Sequence, residues 1–235
     1  MLNSQQLYAK FTFDNFIIGK NNKVSQKYAL FIADNPGKYF NLLYIYGKSG
    51  TGKTHLLNAT VNYLQKKSPD ILAQYLTAAE FTEQFVHSLC NKKTAEFKEG
   101  FDKIKVLLID DFQFFSGKQQ TQEVLLLILN SLYYSGCQII ISSDRKPEKL
   151  ISFNDSLISW IKIGLQAEIK YPKYKAKLKI LKQFAKFKKC KIKFKKLKLL
   201  ADCPIYDIRE LEGKFNETIS LKKRRCKLYD KKITR

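Results

Sequence analysis

The chain has 235 residues, 45% of them hydrophobic and 13% aromatic, enough for one large domain with a small appendage and too apolar for disorder throughout. The formal net charge is +22, and residues 170–235 carry most of it, with 24 Lys+Arg against 6 Asp+Glu. That lopsided basic balance excludes an evenly charged surface and points to a polyanionic partner, nucleic acid above all, the alternative being a compositional drift towards lysine that leaves a basic surface without a ligand.

Short apolar runs alternate with longer amphipathic ones. Residues 43–46 read as a buried strand, followed by a glycine-rich loop at 47–52 and a helix over 53–66. Residues 71–76 form a second strand and 78–89 a helix. Residues 106–109 are almost wholly apolar, as a strand covered on both faces should be. Residues 121–133 are helical, and 138–142 and 165–169 supply two more strands. This alternation predicts a three-layer α/β domain built on a parallel sheet with right-handed crossovers. After Tyr171-Pro172 the pattern changes to helices over 173–189, 197–201 and 207–221. The expected organisation is an α/β domain over residues 1–170, an all-helical lid over 171–221, and a frayed, disordered basic tail over 222–235.

Five cysteines without a short C-x-x-C pair, and only two histidines, argue against a zinc site and for free thiols in a reducing compartment. No stretch of about 18 apolar residues predicts a membrane span. The polar N-terminus lacks a signal peptide's apolar core, so the expected location is the cytoplasm.

Gly47-Lys48-Ser49-Gly50-Thr51-Gly52-Lys53-Thr54 fits G-x-x-x-x-G-K-[ST], with a strand before it and a helix after it. Glycines permit the backbone turns that aim successive N–H groups at phosphate oxygens, and the helix adds its positive end. Lys53 would reach the β- and γ-phosphates, and the Thr54 hydroxyl would ligate Mg²⁺. Asp110 and Asp111 end the apolar strand at 106–109. One carboxylate there, Asp110, can hold Mg²⁺ through water, and the next, Asp111, can orient or deprotonate an attacking water. Asp144 follows the strand at 138–142 and opens onto the same crevice, where it can sense a γ-phosphate or position water. These elements point to ATP or ADP with Mg²⁺.

Taken in order, they resemble the ATPase domain of the DnaA family of bacterial replication initiators, members of the AAA+ class. The resemblance is carried by residues 11–19, 35–47 and 52–56, by Leu108-Ile109-Asp110-Asp111-Phe112-Gln113-Phe114-Phe115, by Ser142-Ser143-Asp144-Arg145-Lys146-Pro147, and by Asp207-Ile208-Arg209-Glu210-Leu211-Glu212-Gly213. It implies a sensor 1 role for Asp144 and a sensor 2 role for Arg209, which would touch the phosphates from the lid. It implies adenine contacts at Ile17, Ile18, Gly19 and Asn22, and single-stranded DNA contacts at Val86, which as plain core is an equal reading, and at Gln120, where the family's basic residue is lost and the neighbouring Lys118 could substitute for its phosphate contact. His55 reads as structural.

Departures from the family pattern are equally specific. Trp160 stands where the family places its arginine finger, and Ser156 where a second arginine is expected. Lys162 is offset and lacks the guanidinium fork. Weak Mg²⁺-dependent ATP hydrolysis is therefore the most that is expected. The chain ends too soon after the sensor 2 helix for a duplex-reading helix-turn-helix module. The expected function is that of an initiator of chromosomal replication, truncated or degenerate. The alternative is a DnaA-like regulator or helicase loader without duplex recognition. Expected partners are single-stranded DNA, through the channel residues and the basic lid, and also a second copy of the chain or the replicative helicase and clamp machinery. Gln6-Leu7-Tyr8-Ala9-Lys10-Phe11 bears a faint similarity to a clamp-binding peptide.

Overall fold

The computed structural model describes residues 10–205 and 207–233, with side chains as far as Ser220; most of the clamp-peptide-like segment, residues 6–9, lies outside the described residues. Five strands, β1 (Leu42–Tyr46), β2 (Ala73–Thr77), β3 (Val106–Asp110), β4 (Gln138–Ser143) and β5 (Leu165–Glu168), form one sheet in the order β2-β3-β4-β1-β5. Every pairing is parallel, so all five C-terminal ends lie on one edge. The sequence-based strands match these within two residues at their ends.

Alternate residues of each strand feed opposite cores. Leu42 and Tyr44 of β1, with Leu107 and Ile109 of β3, pack against α3 (Ala78–Cys90), α5 (Gln119–Tyr134) and α6 (Asp155–Lys162). Leu43 and Ile45, with Val106 and Leu108, pack against α1 (Lys23–Asp34) and α2 (Lys53–Lys67). Burial on both faces explains why these strands read as unbroken apolar runs. The start of α3 is fixed by Thr77, whose hydroxyl accepts from the Glu80 amide while the Glu80 carboxylate accepts from the Thr77 amide.

Three helices go beyond the sequence-based expectation: α1, α4 (Thr94–Glu99) and α6. In α1 the buried positions are Ser25, Ala29, Ile32 and Ala33. Their spacing is helical, but small side chains give a weak apolar signal. The lid comprises α7 (Tyr174–Phe187), α8 (Phe194–Asp202) and α9 (Ile208–Ile233), closed around Leu181, Leu197, Leu211 and Phe215. The last helix runs on to Ile233 rather than ending near Leu221 in a frayed tail. No proline or glycine stands between Leu221 and Ile233 to stop it. Among the described residues no helix is long and apolar enough to cross a membrane.

Candidate nucleotide site

The strand order brings β3, β4 and β1 side by side, and with them the three motifs. Tyr46 is level with Ser143, and the Gly47 amide donates to the Ser143 carbonyl at 3.1 Å. From there the loop turns through Gly50 (φ +66°) and Gly52 (φ +106°) into α2, whose first turn carries no acidic residue to neutralise its positive end. Lys53 is buried, and its Nζ donates to the carbonyls of Gly47 at 2.7 Å and Lys48 at 3.1 Å. Burial lowers its pKa, opposed by the charges of Asp110, Asp111 and Asp144.

Asp110 is almost wholly buried and does not itself line the cleft. Its Oδ1 accepts from the Ser142 hydroxyl and from the Asp111 amide at 3.0 Å, and its Oδ2 from the Tyr75 hydroxyl at 2.9 Å. Burial and the nearby Asp110 charge push the Tyr75 phenol far above its ordinary value, so it remains a donor. Asp111 adopts a left-handed backbone (φ 56°), rare for a residue other than glycine, and faces the cleft. Gln113 joins two motifs: its Nε2 donates to Asp111 Oδ1 at 3.0 Å, and its Oε1 accepts from the Asp144 amide at 3.1 Å. Asp144 also faces the cleft, but both its oxygens are taken by Arg145, whose Nε and Nη2 donate at 2.6 and 2.7 Å. That guanidinium holds the Asp144 carboxyl below the usual range.

The lid closes the cleft. The Ile208 amide donates to the Gly50 carbonyl at 2.9 Å, and Asp207 caps α9 by accepting from the Arg209 amide at 2.6 Å. Gly50 is required by this approach, because a Cβ there would stand 1.9 Å from Asp207 Oδ1. The result is a cleft of about 950 Å³ with Lys53, Thr54 and Asp111 on one wall and Arg209 on the other. Asn22 lines it too, while its side chain ties together the turn at Ile17 and Gly19. Ile17 faces the cleft. Ile18 and Gly19, also expected at the adenine, do not line it; Ile18 is exposed to solvent instead. His55 is held between Phe11 and Phe16, with Nε2 3.1 Å from the Thr12 carbonyl.

Val86 is exposed on α3, Gln120 is exposed at the start of α5, and Lys118 donates to the Thr82 hydroxyl at 3.3 Å. These three residues lie apart from the cleft. Trp160 is buried against Tyr133 in the core beneath α6, whereas Ser156 and Lys162 are exposed. Sequence reasoning assigns no role to Tyr75, Gln113, Ser142 or Arg145. Gln113, Ser142 and Arg145 stand inside the motifs, whereas Tyr75 carries no local signal.

The sheet order, the loop between β1 and α2, and the docked helical lid define a P-loop domain of the AAA+ class. The family follows from the comparisons: a family model of the bacterial DnaA ATPase domain matches residues 7–168. The chromosomal replication initiator protein DnaA of Tropheryma whipplei is 38% identical over 204 residues, covering 87% of this chain and 43% of that protein. Domain III of the Thermotoga maritima DnaA superposes with a TM-score of 0.87 at 35% identity, covering 92% of this chain and 90% of that one. A replication initiator DnaA bound to AMPPCP and single-stranded DNA superposes with a TM-score of 0.83 at 34% identity, covering 93% and 70%. The chain belongs to the DnaA family and carries its ATPase domain. It spans less than half the length of the curated relative it matches.

Proposed function

We propose that this chain is the nucleotide switch of an initiator of chromosomal DNA replication, binding ATP with Mg²⁺ in the cleft between the P-loop and the lid. The observation that carries this reading is the docking of α9 on Gly50, which sets Arg209 across one cleft from Lys53. The loop amides and the first turn of α2 would hold the phosphates, and Lys53 would exchange loop carbonyls for the more strongly accepting β- and γ-oxygens. Arg209 would bridge phosphate oxygens from the lid. Thr54 is a hard oxygen donor suited to Mg²⁺, and Asp110, fixed by Tyr75, Ser142 and the Asp111 amide and set back from the cleft, would reach the ion through a water. Among the described residues no cluster of three His, Cys, Asp or Glu exists, so phosphate and water would complete the ion's shell. Bound there, Mg²⁺ would neutralise charge on the phosphates.

Asp111, steered by Gln113, would orient the attacking water. Arg145 shields Asp144 from the phosphates, which makes the pair rather than the bare carboxylate the sensor. With Trp160 buried, a neighbouring copy receives no guanidinium from that position, and hydrolysis is expected to be weak. Val86, Lys118 and Gln120 would meet single-stranded DNA, in keeping with the relative bound to it. Self-association and contact with helicase or clamp proteins belong to the same reading.

Lys53→Ala tests the assignment by titration calorimetry with ATP and Mg²⁺. The expected outcome is loss of measurable binding with an unchanged circular dichroism spectrum. Retained affinity would refute the site.

A further inference from the structure

The lid carries a surface that the nucleotide cleft does not use. Lys175, Lys179, Lys182 and Lys186 recur along α7 at spacings of four, three and four. That spacing lays them in one stripe about 16 Å long. All four are exposed, and they lie off the helix face that buries Ala176, Ile180 and Leu181. From α8, Phe194 and Lys198 extend the stripe sideways. Phe194 is 48% exposed, with the Lys182 ammonium 4.9 Å and the Lys198 ammonium 5.0 Å from its ring centroid. One ring thus gathers a cation from each helix. None of these five lysines pairs with a described carboxylate; the lid's ion pairs, Lys188 with Glu212 and Lys214 with Glu210, lie elsewhere. Like charges one turn apart repel, so the stripe lacks its counter-charge within the described fold.

We propose that this stripe is a binding surface for single-stranded nucleic acid, separate from Val86, Lys118 and Gln120. A row of ammonium groups suits a phosphate chain, a polyanion with a charge on every monomer that also brings flat rings. Phe194 offers an unpaired base a ring to stack on, which the paired bases of a duplex cannot reach. The proposal extends the DNA reading above and does not depend on nucleotide in the cleft.

The test uses the full chain without nucleotide and a labelled oligothymidylate about 25 nucleotides long, read by fluorescence anisotropy across a salt series. Replacing Lys175, Lys179, Lys182 and Lys186 together by Gln is expected to weaken binding at least tenfold. The slope of log affinity against log salt should flatten by about 0.7 for each phosphate no longer neutralised. The same four positions as Arg should retain binding, which separates lost charge from lost folding. Phe194→Leu should weaken the single strand several-fold at an unchanged slope and leave a duplex of equal length unaffected. ATP titration of the same variants should be unchanged, so failure of the cleft and failure of the stripe are told apart. Unaltered affinity and slope in the four-Gln variant would overturn the proposal. So would equal binding of duplex and single strand with no effect of Phe194→Leu.

Discussion

His55 fastens the N-terminal segment to α2. It is packed between Phe11 and Phe16 and bonded to the Thr12 carbonyl. Burial dominates and lowers its pKa below the ordinary 6.5. The folded imidazole is therefore neutral where an unfolded one is already charged. Between these values the unfolded state binds the extra proton, so stability rises with pH there. The His55 contribution is complete above about 6.5 and is lost as pH falls below it. The expected result is a thermal midpoint that drops as pH falls below about 6.5, with a flatter profile in His55→Gln. With only two histidines in the chain, an unchanged profile would show that His55 is not the linked group. At this scale the sequence is most informative where chemistry is contiguous. Gly47 to Thr54 and Asp110-Asp111 announce themselves because each is a run of neighbours. The partners that orient them do not. Tyr75 lies 35 residues from Asp110, Gln113 lies 31 from Asp144, and only the strand order brings them together.

At the level of elements, the junction between the P-loop and α9 is the place most open to test. Gly50→Ala adds backbone strain at φ +66° and drives a methyl into Asp207. Gly117 has a comparable φ of +74° with nothing within 4 Å of an added Cβ, so Gly117→Ala isolates the strain alone. Strain of this kind costs about 1–2 kcal/mol. Both variants should lose a few degrees of melting temperature, but only Gly50→Ala should weaken ATP binding, by about tenfold, as Ile208 leaves the Gly50 carbonyl. Equal ATP affinities would mean that the docked lid is not needed for the nucleotide. The strands and most long helices are legible because each presents a strong apolar pattern. The helix α1 is not, since serine and alanine fill much of its buried face, and α6 is only eight residues long, too short for a period to repeat. Trp160 gains its meaning in three dimensions: it is part of the core that holds α6 on the sheet, rather than a blank at an interface.

For the whole molecule, charge sets the terms. A net +22 sits on a body whose six ion pairs among the described residues are exposed on at least one side, and such pairs are worth about 0–1 kcal/mol each. Repulsion among lysines is expected to outweigh them, most of all in the lid. Raising salt from about 20 mM to about 200 mM shortens the screening length to below about 10 Å and should raise the melting temperature. A fall would show that the ion pairs matter more than the excess charge.

The single hydrogen bond from the Ile208 amide to the Gly50 carbonyl has a mechanical corollary. It is made at the first residue of a 26-residue helix, a rod about 39 Å long. A tilt of about 5° at that end sweeps the other through about 3 Å, given the rise of about 1.5 Å per residue. Any tilt of α9 at the loop would therefore be magnified at its far end.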